Sequence, residues 1–201
     1  MTTTSDRLPA VTSADSVSGP GQGYWTYKEY AALPDDGHHY EIVNGVLYMT
    51  PSPSIPHQKA VLRFSLHLFN HVEALGLGQV FVAPFDVELA SNVIIQPDVA
   101  VVLNAGLEKV TESRIIGAPD LVVEVASPST AGYDRRVKQD AYARAGVPEY
   151  WIADPVAYTV EVLVLEAGSY RSLDIFRGRA KLPSKVIANL PVRVEQFFAS
   201  N

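Results

Sequence analysis

Residues 119–130 read PDLVVEVASPST, and the interpretation of the whole chain starts from this stretch. Between Leu121 and Val125, every residue except Glu124 is aliphatic. A run this apolar predicts a strand that is buried on both faces of its sheet. Burying an unpaired carboxylate there would cost several kcal/mol of folding free energy. Glu124 therefore needs a partner inside the fold.

The composition fits one folded domain and excludes several classes of protein. The chain has 201 residues, of which 47% are hydrophobic and 19% are charged, so it can bury a core. It has no cysteine, which excludes disulfides and thiolate metal sites. The formal net charge of −6 disfavours broad nonspecific adhesion to nucleic acid, although a local basic patch could still bind it. No apolar run approaches membrane-spanning length and no secretory signal is evident, so we expect a cytoplasmic protein without membrane contact.

The chain divides into two regions. Residues 1–23 are rich in Ser, Thr, Gly and Pro and lack periodicity, which predicts a flexible N-terminal tail. Residues 24–201 are predicted to form a single domain. Thr26 followed by Glu29 fits a capping box, and Asn44-Gly45 between two apolar runs is typical of a hairpin turn. The domain should therefore begin with a helix over 26–33 and a β-hairpin.

The later elements alternate between helices and strands. Apolar residues at helical spacing predict helices over 56–75 and 133–145, which end at Gly76 and Gly146. Apolar runs bounded by turn residues predict strands at 79–89, 93–103 and 121–126, a meander formed by EYWIAD, YTVEVLVL and SYRSLDIF, a strand near 185–188, and a helical turn at 194–198. This order favours an α/β or α+β sheet with helices on its faces.

Two further charged residues lie in apolar surroundings. Asp98 is the acid in the strand-like run VIIQPDVAVV, where Pro97 cannot donate to a neighbouring strand and predicts a bulge or break. Lys138 falls on the apolar face of its helix, beside Tyr142, at 100° per residue. A lysine that points inward needs a carboxylate partner or water. We therefore predict that Asp98, Glu124 and Lys138 meet in one pocket.

Two carboxylates and a lysine in one pocket suit metal-assisted hydrolysis. Carboxylate oxygens are the ligands that Mg²⁺ or Mn²⁺ prefers, so Asp98 and Glu124 are candidate metal ligands. Such an ion polarises a phosphoryl oxygen and activates water, while a lysine orients the water or stabilises developing charge. Lys138 is therefore a candidate catalytic residue.

Several segments resemble, in the same order, a known nuclease family. QPDVAVV, PDLVVEVASPST and DRRVKQDAYARAGVPEYWIADP are similar to the Uma family of bacterial restriction endonucleases, within the PD-(D/E)xK nuclease superfamily. The resemblance covers nearly all of residues 24–199, including WTYKEYAALPDDGHHYEIVNGVLYMTPSPSIPHQ. It implies an α/β fold with a restriction-endonuclease-like core, in which helices flank a central mixed sheet. The helix–hairpin would precede this core, and the antiparallel meander would form its C-terminal part.

By motif position, the resemblance assigns Asp98 and Glu124 as the two acids of the nuclease motif. The superfamily pattern places a lysine two residues after the second acid, but this chain has Ala126 there. In the family the lysine lies on the following helix, at the position of Lys138. Glu41, in YEIVNG, matches an upstream glutamate of the family and is a fourth catalytic candidate. The alternative for Glu41 is pairing with a neighbouring histidine or exposure on the hairpin.

The expected function is a divalent-metal-dependent endonuclease that acts on nucleic acid, with DNA as the expected substrate. Arg135 and Arg136 add local positive charge that could contact phosphates. The alternatives are a noncatalytic nucleic-acid- or protein-binding module on the same fold, and hydrolysis of another phosphate ester. The apolar strands of the meander must end in an edge, which favours a homodimer.

Other polar residues near these motifs are explained by local structure. His57 is interpreted as a helix N-terminal residue that makes local hydrogen bonds, and Asp134 as a helix cap. Tyr142 either orients the lysine or belongs to the core. His67 and His71 lie one helical turn apart, but no third ligand with suitable spacing accompanies them. None of the three histidines is therefore assigned to the site.

Overall fold

A computed structural model describes residues 10–127 and 130–198 of the chain. Within these residues, strands and helices alternate along much of the sequence. The strands are β1 (Thr12–Ser13), β2 (His39–Val43), β3 (Val46–Thr50), β4 (Gly78–Val82), β5 (Asp86–Ala90), β6 (Val93–Ile95), β7 (Val99–Leu103), β8 (Arg114–Ile116), β9 (Leu121–Val125), β10 (Glu149–Asp154), β11 (Thr159–Glu166) and β12 (Ser169–Arg177).

The helices are short, apart from one. They are α1 (Tyr27–Tyr30), α2 (Ile55–Leu68), α3 (Ala131–Tyr133), α4 (Gln139–Ala145) and α5 (Val194–Phe198). A π-helical turn, Phe69–Glu73, extends α2, and a second one, Asp134–Lys138, joins α3 to α4. The predicted helices 56–75 and 133–145 are thus confirmed, with wider turns inside them that the 3.6-residue period does not predict.

The strands form two mixed sheets of six strands each. The first has the order β1-β3-β2-β6-β5-β8 and the second β12-β11-β10-β9-β7-β4. Neighbours pair antiparallel except β5 with β8 and β9 with β10, which pair parallel. The predicted α/β class is confirmed, and so are the N-terminal helix–hairpin and the C-terminal meander of β10, β11 and β12. The strands divide between two sheets, however, whereas one central sheet was expected.

Breaks in two predicted strands explain this division. The predicted strand 79–89 separates into β4 and β5, and 93–103 separates into β6 and β7. In each case one half joins the first sheet and the other half joins the second. Pro84 and Pro97 lie in the two breaks, and a proline has no N–H to donate to a ladder. The chain therefore passes from sheet to sheet at the break that holds Asp98.

The hairpin that begins the first sheet depends on its two turn residues. Val43 pairs with Val46, and between them Asn44 and Gly45 have φ values of 54° and 73°. Asn and Gly tolerate this left-handed region, so the predicted hairpin is confirmed. A Cβ at position 45 would lie 2.3 Å from the carbonyl oxygen of Gly23. The glycine therefore also allows the N-terminal segment to pack against the turn.

The predicted double-sided burial of β9 is confirmed. Its odd-numbered aliphatic residues belong to the cluster around Phe64 of α2, whereas Val122 packs in the cluster around Tyr142 of α4. Burial of each such side chain stabilises the fold by about 1.5–3 kcal/mol. Because alternate residues of a strand share a face, Glu124 lies on the α4 side with Val122.

The predicted flexible tail is wrong for residues 10–23, and residues 1–9 lie outside the described residues. Thr12 and Ser13 pair with Met49 and Tyr48 as β1, although the composition of the segment gives no strand signal. Farther along, the backbone N–H of Leu47 donates to Gln22 Oε1 at 2.8 Å. The Gln22 side chain thus accepts from a backbone N–H of β3 that a neighbouring strand would otherwise pair. The single domain predicted over residues 24–201 stays a prediction.

The strand predicted near 185–188 is also wrong. In the structure this segment is a turn, and the backbone N–H groups of Lys185 and Val186 donate to Glu149 Oε2 at 2.6 and 3.3 Å. Glu149 is fully buried, and its other oxygen accepts from Trp151 Nε1 at 2.6 Å. The buried carboxylate of Glu149 therefore accepts from the backbone N–H groups that a strand at this position would have paired with a neighbouring strand. The helical turn predicted at 194–198 is confirmed as α5.

Candidate active site

A cavity of about 440 Å³ lies between the two sheets. Strands β2 and β3 contribute His39, Glu41 and Thr50 from the first sheet, and β9 contributes Glu124 from the second. Helix α2 and the π-helical turn Asp134–Lys138 form other parts of its wall. Asp98, Glu124 and Lys138 all line this cavity, so the predicted meeting of the three charged residues is confirmed. Glu41 lines it as well.

Asp98 enters the cavity from the break before β7. Val99 is paired with Val123 of β9, which places Asp98 next to the strand that carries Glu124. One of its oxygens, Oδ2, accepts a hydrogen bond of 2.7 Å from the backbone N–H of Val125. The side chain keeps 16% exposure. The break predicted from Pro97 is therefore present, and it turns the Asp98 carboxylate toward the cavity.

Glu124 is held by two donors on one of its oxygens. Lys138 Nζ lies 3.0 Å from Glu124 Oε1, and the hydroxyl of Tyr142 donates to the same oxygen at 2.6 Å. Glu124 is only 3% exposed. Tyr142, fully buried on α4, is therefore both a core residue and a partner of Glu124, whereas the sequence left open a contact with the lysine. These contacts explain how a carboxylate is accommodated in an apolar strand.

Lys138 joins two glutamates that are far apart in the sequence. Its Nζ lies 2.9 Å from Glu41 Oε1 and 3.0 Å from Glu124 Oε1. All three residues are at least 95% buried, and Lys138 ends the π-helical turn after α3. We call Lys138, Glu41 and Glu124 the lysine cluster. The alternative for Glu41, pairing with a histidine or exposure on the hairpin, is wrong because Glu41 is buried against Lys138.

A second polar network holds Glu41 from the opposite side. The backbone N–H of Gln96, in the break before Asp98, donates to Glu41 Oε1 at 2.9 Å. The side-chain amide of Gln96 donates to Asp86 Oδ1 at 2.9 Å and to the Tyr30 hydroxyl oxygen at 3.1 Å. The helix–hairpin at the start of the domain is thereby linked to the lysine cluster.

Burial and charge act in opposite directions within the lysine cluster. Burial raises the pKa of Glu124 well above its usual range, and the positive charge of Lys138 opposes this rise. For Lys138, burial alone would lower the pKa, but the carboxylates of Glu124 and Glu41 outweigh it and raise the pKa. The lysine is therefore held in its charged form inside the fold.

Sequence reasoning assigned two cavity residues to local roles, and the structure corrects both. His57 lies 3.2 Å, through Nε2, from Asp98 Oδ2, in addition to the predicted local bond of its backbone N–H to Ser54 Oγ at 3.4 Å. Burial lowers the pKa of His57, but the hydrogen bond and charge of Asp98 outweigh burial and raise it. No local sequence signal indicates the contact with Asp98, because it joins two distant elements.

Asp134 is the second corrected residue. It is not the N-cap of its helix, because Thr130 occupies the N-cap position of α3 and Asp134 begins the π-helical turn. Its side chain is 3% exposed and lines the cavity. Burial raises the pKa of Asp134 to about 6, partly opposed by the charge of Lys138. The cavity therefore holds four acidic side chains, Glu41, Asp98, Glu124 and Asp134, around one lysine.

Three buried polar atoms of the cavity wall have no hydrogen-bond partner among the described residues. They are Glu41 Oε2, His57 Nδ1 and the hydroxyl of Tyr133. Buried polar atoms are otherwise almost always satisfied, because leaving one unpaired costs about 1–3 kcal/mol. Their concentration in a single cavity indicates that the cavity accommodates a polar ligand or water.

The two arginines expected to contact phosphates do not line the cavity. Arg135 forms a salt bridge with Glu161 of β11. Arg136 is exposed and donates through Nε to the carbonyl oxygen of Gly132 at 3.3 Å. The structure thus separates these two residues from the acids and the lysine, and their role stays a prediction.

The donor set of the cavity is compatible with a hard divalent cation. Within residues 10–127 and 130–198, no three His, Asp or Glu side chains are arranged to hold an ion by themselves. Mg²⁺ needs no such cage, since it is often bound by one or two carboxylates with water and substrate phosphate. Asp98 Oδ1 and Glu124 Oε2 accept no hydrogen bond from a described residue, so within the described part of the chain each carboxylate has one oxygen available to a cation.

Comparisons with known proteins give a solved structure of the same fold and a protein family. A solved structure titled "Crystal structure of a putative nuclease belonging to DUF820 from Anabaena variabilis ATCC 29413" matches with a TM-score of 0.73. The match covers 87% of this chain and 97% of that chain at 19% sequence identity, which shows a shared fold. A comparison with curated proteins finds no match. Within the described residues, no helix is long and apolar enough to span a membrane. Residues 27–195 match the model of the Uma2 family, described as "Putative restriction endonuclease", and the chain therefore belongs to that family.

Proposed function

We propose that this protein is a divalent-metal-dependent endonuclease that hydrolyses phosphodiester bonds of nucleic acid, with DNA as the substrate. The observation that carries the proposal is the lysine cluster beside Asp98 in one cavity. A buried lysine between two buried glutamates costs folding free energy, so its presence needs a reason other than stability. Phosphate-ester hydrolysis needs anionic metal ligands and a positive charge near the reacting phosphorus, and this cavity has both.

In this proposal Asp98 and Glu124 hold Mg²⁺ or Mn²⁺ through the two oxygens, Oδ1 and Oε2, that accept no hydrogen bond from a described residue. The bound ion would polarise a phosphoryl oxygen and lower the pKa of water. His57 and the backbone N–H of Val125 both contact Oδ2 of Asp98 and keep the carboxylate in place. Tyr142 fixes Glu124 in the same way. Ligands held by neighbours lose little freedom when the ion binds.

Lys138 acts on the phosphate in this proposal. Its charge is maintained by Glu41 and Glu124, and it stabilises the negative charge that develops on the phosphate oxygens. Glu41 Oε2 has no hydrogen-bond partner among the described residues and is an acceptor available to a water molecule in the cavity. Glu41 therefore orients the attacking water, while Glu41 Oε1 holds the lysine.

The cytoplasmic location and the homodimer are further parts of the proposal. A dimer suits a nuclease that acts on two strands, and the apolar strands of the meander supply sheet edges that a partner could cover. Light scattering should give twice the monomer mass at micromolar protein, and a monomer mass at all concentrations contradicts the dimer.

The testing experiment compares cleavage and metal binding in the same variants. Wild type, Asp98→Ala, Glu124→Ala, Lys138→Ala and Glu41→Ala are incubated with DNA and RNA substrates in Mg²⁺, in Mn²⁺ and with chelator. Calorimetry measures binding of the ion alone. We expect Asp98→Ala and Glu124→Ala to lose ion binding and cleavage together, because each removes an anionic ligand. Lys138→Ala should keep the ion and cleave about 10²-fold more slowly or worse, and Glu41→Ala should show a smaller defect.

A matched control separates the cavity from general loss of charge. Asp174→Ala removes an exposed carboxylate of β12 that, among the described residues, accepts only from the next backbone N–H, so its cleavage should equal that of wild type. Wild-type cleavage by Glu124→Ala would contradict the proposal. Nucleic-acid binding without cleavage in either metal would favour the noncatalytic binding module instead.

A further inference from the structure

A second, smaller groove lies on the other side of helix α2. Its volume is about 160 Å³, and its wall includes Ile55, Pro56, Lys59, Arg63, Tyr158 and Phe198. We call it the Lys59–Arg63 groove. Two cations line it, and among the described residues no carboxylate does. In a chain with a net charge of −6, a groove of purely positive charge is an exception.

Among the described residues, no carboxylate neutralises either cation. Neither Lys59 nor Arg63 forms a salt bridge with any residue that the structure describes. Arg63 donates through Nη1 to the carbonyl oxygen of Phe198 at 3.3 Å, and its other N–H groups have no hydrogen-bond acceptor among the described residues. Arg135, by contrast, is paired with Glu161. Lys59 and Arg63 are therefore better placed to bind an external anion.

The groove also has an aromatic side chain at its edge. Tyr158 is 58% exposed, and its ring lies edge-on to Phe198 with centroids 5.8 Å apart. It occupies the turn between β10 and β11 with a φ of 54°, a left-handed conformation that is costly for a bulky residue. An asparagine or glycine would fit this backbone at lower cost. The exposed ring thus occupies a position that stability alone does not favour.

The groove lies beside the cavity of the proposed active site. Ser54 and His57 of α2 line the cavity, whereas Ile55 and Pro56 line the groove, so the two share the N-terminal end of one helix. An α-helix with its side chains is about 10–12 Å wide. A single strand that leaves the cavity around this helix end reaches the groove within a few nucleotides.

We propose that the Lys59–Arg63 groove binds the phosphodiester backbone of one nucleic-acid strand next to the cleaved bond, with Lys59 and Arg63 on phosphates and Tyr158 stacked on a base. This inference rests on the proposed function, because it identifies where the flanking part of the same substrate lies. Cationic side chains that follow the backbone, combined with an exposed aromatic ring, are the usual elements of single-strand binding.

The test measures binding separately from hydrolysis. Fluorescence anisotropy follows a labelled single-stranded oligonucleotide of about 12 nucleotides with chelator present, over a series of salt concentrations. The variants are Lys59→Gln with Arg63→Gln, and Tyr158→Ala. The matched control, Lys28→Gln with Arg179→Gln, removes one lysine and one arginine that are exposed, form no salt bridge with a described residue, and lie outside both the cavity and the groove.

We expect the double groove variant to bind about tenfold more weakly at about 0.15 M salt. The slope of log K against log salt should become shallower by about 1.4, since each phosphate contact on a single strand contributes about 0.7. Tyr158→Ala should also bind about tenfold more weakly, but with an unchanged salt slope, because stacking releases no counterions. The control pair should bind like wild type.

Equal losses in the groove variant and the control pair would overturn the inference, because total charge alone would then explain binding. A larger loss in Arg135→Gln with Arg136→Gln would overturn it too, by placing the phosphate contacts on the π-helical turn. Binding that depends on Lys59 and Arg63 without any metal-dependent cleavage would support the groove and contradict the proposed hydrolysis. Cleavage that persists while the groove variant binds normally would support the hydrolysis and contradict the groove.

Discussion

Lys138 and Lys185 both pair with glutamate, but in opposite surroundings. Lys138 has 6% of its side chain exposed and lies within 3.0 Å of two glutamate oxygens. Lys185 has 59% of its side chain exposed and lies 3.4 Å from Glu166, which also pairs with Arg171 at 2.6 Å. The first group is the lysine cluster of the cavity, and the second is an ion-pair group on the outer side of the meander.

The difference in exposure changes what each ion pair contributes to stability. Exposed ion pairs contribute about 0–1 kcal/mol each, so the meander would fold with or without them. A buried pair gains little over apolar packing, but it becomes costly when one member is removed. The lysine cluster is therefore weakly explained by stability and well explained by a role in the cavity.

The largest expected effect comes from removing the buried lysine. Lys138→Met leaves Glu41 and Glu124 buried without their shared cation, so the free energy of unfolding should fall by about 3–5 kcal/mol. Lys185→Met, the matched exposed change, should alter it by at most about 1 kcal/mol. Urea unfolding at pH 7 measures both. Similar losses in the two variants would show that burial does not distinguish the pairs.

The next effect concerns the hydroxyl that holds Glu124. Tyr142→Phe removes the 2.6 Å hydrogen bond to Glu124 Oε1 and should lower the free energy of unfolding by about 1.5–3 kcal/mol, as for hydrogen bonds to charged groups. Tyr158→Phe, at an exposed ring, should change stability by less than about 0.5 kcal/mol. Thermal or urea unfolding of the two variants tests the difference, and an unchanged Tyr142→Phe would contradict it.

A smaller effect on stability, with a large effect on activity, is expected for Glu124→Gln. The amide keeps an acceptor for Tyr142, and Lys138 keeps Glu41, so one buried charge disappears without leaving the lysine unpaired. Stability should therefore stay within about 1 kcal/mol of wild type or rise. Cleavage and Mg²⁺ affinity should nevertheless be lost with the anionic ligand. Loss of folding in Glu124→Gln would show that Glu41 cannot hold the lysine alone.

The smallest effect is the pH dependence of the exposed ion-pair group. The hydrogen bond from Arg171 lowers the pKa of Glu166 from 4.5 to about 2. A carboxyl whose pKa is lower in the folded state stabilises the fold above the unfolded pKa, and this contribution is lost as the pH falls from 4.5 toward 2. In urea unfolding, the free energy of unfolding of Glu166→Gln should therefore fall less between these pH values than that of wild type. Glu112→Gln, which removes an exposed acid without a salt bridge to a described residue, should keep the wild-type pH dependence.

The sequence by itself determined the elements with local causes. The hairpin follows from Asn44-Gly45, since these residue types tolerate positive φ, and β9 follows from an aliphatic run between turn residues. The acids Asp98 and Glu124 and the lysine Lys138 were also recognisable, because a charge in an apolar periodic segment is a local anomaly. Their resemblance to a nuclease family then pointed to the cavity chemistry.

Only the tertiary structure decided which distant residues meet. Lys138 pairs with Glu41, and His57 with Asp98, although no local pattern around these residues indicates the partner. Pro97 predicted an interruption, but not that the half-strands before and after it would join different sheets, and the break at Pro84 was not predicted. Residues 10–23 are ordered only because they contact distant residues: Thr12 and Ser13 pair with β3, and Gln22 accepts from the backbone N–H of Leu47. Periodicity and propensity record how a segment meets its near neighbours, whereas these contacts depend on how distant segments pack.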